Sequence, residues 1–454
     1  MKRWLVVAAV LGVVATAAVA LVALGRGPEV TTASPDALAE FNLAMDAQMK
    51  LYHDEARQHL ERAVALDPDF VLAKLMLAEF LSEDKERRAQ LRDQVAAADL
   101  DRLSERERYL VRRMLAFRAE QPEEIDRLTD EYLDRHPNDP WVLNFKANRL
   151  WGQGNMADAE RFNRRLIEVN PNWVIAYNML GYGAMDQGEF AEAEEHFISY
   201  RFIAPDQANP HDSLGELYIL LGRYDEAVAS LEEALRIKPD FWASYDHLAL
   251  AHMLRRDWSA VDRVLGRMTS AEGFPVSMAE AIRCAVGAYR LALEGAWAPL
   301  LDFTASSCPK GLAGGDFVVT VTHRALCRTG RFDEATAVEG QVREVMEKKR
   351  PVPSSDEKMA WDGMLIHMEG VRLALAGDLA AAEEKLRAAD AILTYRQVSL
   401  GLMKLLNRGA LAEVLEARGE TAEAARLLNA MRAVNAPLVT DFETGPGVLG
   451  LSAR

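Results

Sequence analysis

LGYGAMDQGEFAEAEEHFISYRFIAP at residues 180–205 and LGELYILLGRYDEAVASLEEALRIKP at residues 214–239 are two copies of one unit, offset by 34 residues. Each copy closes on a proline, and Pro137, Pro171, Pro205 and Pro239 recur at that spacing. Apolar residues fall at Leu180, Ala184, Ala193 and Phe197 in one copy and at Leu214, Tyr218, Ala227 and Leu231 in the next. This is the period of an amphipathic helix pair. Gly181 and Gly215 stand where the two helices of a pair must touch closely. Gly188 and Gly222 stand in the turn, where a left-handed conformation needs the missing Cβ. The closing proline cannot continue a helix and restricts the residue before it. A unit of this length cannot bury its apolar face alone and must stack on its neighbours.

Working outward, the same offsets place Lys146, Ala147, Leu150, Gly154, Ala159, Asn163 and Leu166 ahead of Pro171. A copy at about residues 37–68 carries Leu43, Ala44, Ala56, Leu60 and Ala63. Pro68 lies 69 residues before Pro137, so a degenerate repeat with a one-residue slip is expected between them. The charge-rich residues 84–108 read as exposed helix or turn. After Pro239 one more copy holds Tyr245, Leu248, Ala249, Leu265 and Met268. GRFDEA at residues 330–335 echoes GRYDEA at residues 222–227, and GDLAAA at 377–382 and GETAEA at 419–424 are weaker echoes. No window alternates with period two, so strands are not expected.

These residues resemble the tetratricopeptide repeat, or TPR. LSERER at residues 103–108 and NPHDSLGELY at residues 209–218 further resemble TPR arrays attached to bacterial signalling and envelope proteins. The resemblance implies an all-α superhelical solenoid of about ten helix pairs. The expected organisation is an N-terminal segment at 1–27, a linker at 28–36, a repeat array at 37–275, a degenerate array at 276–437 and a tail at 438–454.

Residues 4–24 form an uncharged apolar run behind Lys2 and Arg3, long enough to cross a bilayer. The expectation is an inner-membrane, single-pass anchor with the array facing the periplasm. A leader cleaved near Ala18-Val19-Ala20, giving a periplasmic protein, is the alternative. The formal net charge of −16 disfavours nucleic acid, whose binding needs a basic stripe, and Arg112-Arg113, Arg164-Arg165 and Arg255-Arg256 read as isolated pairs on solvated faces, so nucleic acid is not an expected partner. Of the three cysteines, Cys284 and Cys327 sit in helical patterns and Cys308 in a loop. Either all are thiols or Cys308 bridges one of the others.

No HExxH, GxSxG or phosphate-binding glycine loop is present, and no cofactor or metal is implied. His247 and His252 are five apart, on different helix faces. His211 and Asp212 open a helix, where Asp212 fits a helix-end role. By the resemblance, the first helix of each pair lines an inner groove. The residues it offers are Trp141, Asn144, Asn148 and Trp151, then Ile175, Asn178, Tyr182 and Met185, then Asn209, Asp212, Glu216 and Ile219, and last Asp246, Leu250 and Met253. Asn amides can grip a peptide backbone and aromatic rings can anchor it. Asn, Asp and Glu stand where a clamp for a terminal carboxylate would place Lys and Arg. The implied ligand is therefore a basic, amphipathic or apolar protein segment. An adaptor binding a protein or peptide is the leading function. A regulatory or enzymatic signalling subunit and a chaperone-like holdase are the alternatives.

Overall fold

The structure is a computed structural model that describes residues 30–81, 84–271, 274–308, 316–349, 355–444 and 447–451. Among the described residues it is helical, without a strand. The helices are α1 (Pro35–Met49), α2 (His53–Leu66), α3 (Val71–Phe80), α4 (Lys85–Ala96), α5 (Glu105–Arg118), α6 (Pro122–Arg135), α7 (Pro140–Gly152), α8 (Met156–Val169), α9 (Val174–Gln187), α10 (Phe190–Ile203), α11 (Ala208–Leu220) and α12 (Tyr224–Ile237). They continue as α13 (Trp242–Leu254), α14 (Trp258–Ser270), α15 (Val276–Leu293), α16 (Trp297–Ser307), α17 (Asp316–Arg328), α18 (Phe332–Lys349), α19 (Ser355–Ala376), α20 (Leu379–Ile392), α21 (Val398–Ala417), α22 (Thr421–Val434) and α23 (Ala436–Thr444). Two compact units divide between Val142 and Leu143.

The expectation of a membrane-spanning helix, and with it of a single-pass inner-membrane placement, is corrected. Among the described residues no helix is long and apolar enough to cross a bilayer. The physical reason is visible in α19, the longest: its 22 residues are interrupted by Asp362, Glu369 and Arg372, the pattern of a helix with one wet face. The apolar run at residues 4–24 lies outside the described residues.

In the first unit, α1 packs on α2, α3 on α4 and α5 on α6. Phe41 stacks on Phe70 with centroids 5.2 Å apart. Leu43 is 49% exposed, so the core of this copy is Phe41, Ala44, Ala56, Leu60 and Ala63 without it. The charge-rich stretch is not all surface. Glu107 is buried at the start of α5, where it closes a capping box with Ser104. The same carboxylate accepts from the Thr31 amide and hydroxyl at 2.8 and 2.6 Å, tying down the chain ahead of α1.

In the second unit the repeat chemistry acts as the spacing predicts. A Cβ on Gly215 would lie 2.6 Å from Leu231 Cγ, and one on Gly181 would lie 2.4 Å from Phe197 Cε1. The helices of these pairs approach closer than any side chain permits. Helices α11, α13, α15, α17, α19 and α21 each pack on the next, and α21 returns to pack on α11. The six close a ring. Helices α12, α14, α16, α18, α20 and α22 pack on their partners in the inner ring. The core that begins around Ala184 and Phe197 runs through α11 and α13 and takes in Tyr395, Val398, Leu405, Met431 and Val439 from the far end of the chain. All thirteen residues of α11 are buried in consequence.

Cys284 of α15 is bonded to Cys308, just past α16, and Cys327 is a buried free thiol. Of the two readings open in the sequence, the bridged one holds.

Candidate functional site

Part of the expected groove set, Asn178, Tyr182, Asp212 and Glu216, is found at the ring seam. Helix α9 supplies Asn178 and Tyr182, and α11 supplies Asp212, Ser213 and Glu216, because residues spaced by three or four lie on one helix face. The Ser213 hydroxyl donates to Asn178 Oδ1 at 2.8 Å. The Tyr182 hydroxyl donates to Glu216 Oε2 at 2.7 Å. Burial, reinforced by Glu216 and Asp212, pushes the Tyr182 phenol well above its ordinary range, so it stays a donor.

The other oxygen of Glu216 accepts from the backbone N–H of Val398 at 2.7 Å, 182 residues along the chain. Val398 is the first residue of α21, so the carboxylate sits at the positive end of that helix. Two residues earlier, Arg396 donates to Asp186 Oδ2 at 3.0 Å, and its guanidinium lies 4.9 Å from the Trp151 ring centroid. Tyr395 meets Phe190 edge to face, with centroids 5.3 Å apart. Asn435 completes the seam. Its amide donates to the carbonyls of Ile219 and Leu220 at 3.3 and 3.0 Å, the open end of α11, and its oxygen accepts from Tyr224 at 3.2 Å.

Asp212, expected at a helix end, stands instead inside α11. Its Oδ1 accepts from the Ser244 hydroxyl at 2.6 Å and pairs with His247 Nδ1 at 3.1 Å. Burial opposes charge on His247, but Asp212, then Glu216 and Asp246, outweigh it and raise the imidazole to about 10. The neighbouring Asp246 is different. Its side chain is exposed, and crowding by the surrounding protein, opposed by the charge of His247 and helped by that of Asp212, pushes its carboxyl up. Leu250, one turn on, is half-buried.

The remaining expected residues are dispersed. Asn209 donates to the Tyr200 hydroxyl at 3.2 Å. Asn144 accepts from the Trp173 indole at 3.4 Å, and Asn148 is exposed. Met185 is fully buried in the core. Trp141 belongs to the first unit, where the Arg106 guanidinium lies 5.8 Å from its ring centroid. Arg396, Val398 and Asn435 were not legible as partners of this face. Asn435 ahead of Ala436-Pro437 carries a helix-start signal, but nothing local points it at α11.

Among the described residues no group of three or more His, Cys, Asp or Glu is arranged to hold a metal. Most polar side chains brought together at the seam bond one another, and Asp186 keeps one buried carboxylate oxygen without a hydrogen bond.

Two family models match the chain. One described as a TPR repeat matches residues 215–254, and one described as a tetratricopeptide repeat matches residues 408–430. The Hsp70-Hsp90 organizing protein of Triticum aestivum is 29% identical over 119 residues, 25% of this chain and 20% of that protein. The chain thus spans about a fifth of that relative's length. Among solved structures, the APC/C hetero-tetramer Cut9-Hcn1 aligns with a TM-score of 0.45 at 14% identity, covering 92% of this chain and 76% of that one. A tetratricopeptide repeat protein from Parabacteroides merdae aligns at 0.38 and 14% identity, covering 59% and 98%. The two matched segments fall on α11 to α13 and on α21 to α22, the helix pairs that meet at the ring seam. This chain carries tetratricopeptide repeats, matched at residues 215–254 and 408–430.

Proposed function

We propose that the chain is an interaction scaffold whose ring accepts a basic or amphipathic polypeptide segment at Asp246 and Leu250. The observation that carries this reading is the exposed carboxylate of Asp246 on α13, for which no hydrogen bond is described. A cation from a partner would find there an exposed carboxylate to pair with. Leu250, one turn along the same face of α13, gives the partner an apolar contact. Asn178, Tyr182, Asp212 and Glu216 support the site from behind by holding the seam. Asn148 and Trp141 are not needed for it.

A defined probe tests the reading. A fluorescent amphipathic helix bearing lysines on its polar face should bind the full chain, and the same helix with glutamates in their place should not. Asp246→Lys should weaken binding by about fivefold, the scale of one exposed charge contact. Equal binding of both peptides, or no response to Asp246→Lys in a folded variant, would move the partner site elsewhere.

A chaperone-like role rests on one relative whose printed name is an Hsp70-Hsp90 organizing protein, aligned over a quarter of this chain. Binding of denatured clients irrespective of their charge would favour that role over the adaptor.

A further inference from the structure

A different site lies within the first unit, in a cleft of about 110 Å³ between α5 and α6. That volume holds several waters, and so has room for a tetrahedral oxyanion. The floor is largely apolar: the buried rings of Tyr109 and Tyr132, with centroids 4.9 Å apart, and the half-buried Leu128. Both phenol oxygens are engaged within the protein, Tyr109 with Thr129 Oγ1 at 3.0 Å and Tyr132 with Asp139 Oδ2 at 2.9 Å. The rim is charged, with Glu105, Arg108 and Arg112 from α5 and Glu131 and Arg135 from α6.

The carboxylates of the rim already have partners. Glu105 pairs with Arg135, and its Oε2 lies 2.8 Å from His136 Nε2. The bond with His136, and then the charges of Arg135 and Arg108, outweigh partial burial and hold the Glu105 carboxyl below its ordinary range. Glu131 accepts from Arg127, which also donates to Glu124 at 2.8 Å. Arg108 thus acts on Glu105 through its charge alone. Among the described residues neither its guanidinium nor that of Arg112 makes a hydrogen bond or an ion pair.

Arg108 and Arg112 stand four residues apart on one face of α5, an arrangement in which like charges repel. Arg108 is half-buried and Arg112 exposed, so both forks of donors are within reach of a ligand. Two guanidiniums at one rim match the oxygens of a single doubly charged phosphoryl group. The aromatic floor suits an apolar body attached to it. In a chain of net charge −16, two such cations are too few to track a polyanion.

We propose that this cleft binds a phosphate monoester with an aromatic body. Arg108 and Arg112 take the phosphoryl oxygens, and the body lies on Tyr109, Tyr132 and Leu128.

The test uses the full-length chain and phenyl phosphate, whose phosphorus NMR line should broaden with a saturating dependence on protein concentration. Inorganic phosphate lacks the ring and benzoate lacks the second charge, so each should compete at least about tenfold more weakly than phenyl phosphate itself. Arg108→Gln and Arg112→Gln should each weaken phenyl phosphate binding by about fivefold, the scale of one exposed charge contact, and the double substitution by more than either. None should lower the Tm, since no bonded partner is lost. Arg165→Gln, at an exposed arginine of α8, should bind as the wild type does. No broadening by wild-type protein at about 10 mM phenyl phosphate would overturn the proposal. So would equal competition by inorganic phosphate or benzoate, an unchanged affinity in the double variant, or an equal loss in Arg165→Gln. If the double variant fails to fold, the competition series on wild-type protein decides alone.

Discussion

Single residues carry more of the seam than their types suggest. His247 sits among Asp212, Glu216 and Asp246 and is held as an imidazolium with a pKa of about 10 against an ordinary 6.5. A group whose pKa is raised by folding stabilises the fold fully below its unfolded value, and that contribution is lost as pH rises through its folded value. The second unit should therefore lose stability between about pH 6.5 and 10, over and above the background titration. His247→Gln should flatten the loss. Urea midpoints of both proteins across that range are the measurement, and parallel curves would contradict the assignment. The glycines were the most legible residues of all. Gly181 and Gly215 were read as close-approach positions from spacing alone, and both stand where a Cβ would collide with Phe197 or Leu231. Asp212 was misread. Its place near a predicted helix start suggested a cap, but the partners that employ it, Ser244 and His247, come from the next repeat.

At the scale of elements, α11 is decisive. A first helix of a repeat normally keeps one face toward the groove, and its Asn209, Asp212 and Glu216 look like groove residues. All of its faces are covered, because α21 and the chain before it pack where a ligand was expected. The buried polar residues then act as caps for distant helices: Glu216 for the start of α21, and Asn435 for the end of α11. Each cap satisfies groups that would otherwise be buried unpaired. Asn435→Ala should cost about 1–3 kcal/mol. Hydrogen exchange should speed up at the last turn of α11 and the first turn of α23, whose Leu438 N–H also bonds Asn435. Faster exchange confined to α23 would show that the link to α11 contributes nothing.

Within the second unit as a whole, the ring is held where the repeat pattern is weakest. The Cys284–Cys308 bond spans 24 residues across α15 and α16, beyond the last well-kept repeat. It closes a loop in the unfolded chain, worth about 3 kcal/mol for a loop of this size. Reduction should lower the melting temperature of the second unit and leave the first unit's transition unchanged. Thiol labelling should find one cysteine that reacts only after unfolding, Cys327, whose burial pushes its thiol up to about 12. Three labelled thiols in unreduced protein would refute the bridge. A disulfide of this kind persists in an oxidising compartment.

The sequence alone determined the helix pairs, their period and the glycines at close contacts. Each of these is local: a 34-residue spacing, a missing Cβ or a helical stripe is decided within one repeat and its neighbour. Ring closure was decided only by tertiary structure. Glu216 meets Val398 across 182 residues, and Tyr224 meets Asn435 across 211. Whether a row of repeats stays open or meets itself depends on small rotations summed over many helix pairs. No single repeat encodes that sum, so residues that read as a groove for a partner became the groove in which the chain holds its own helix.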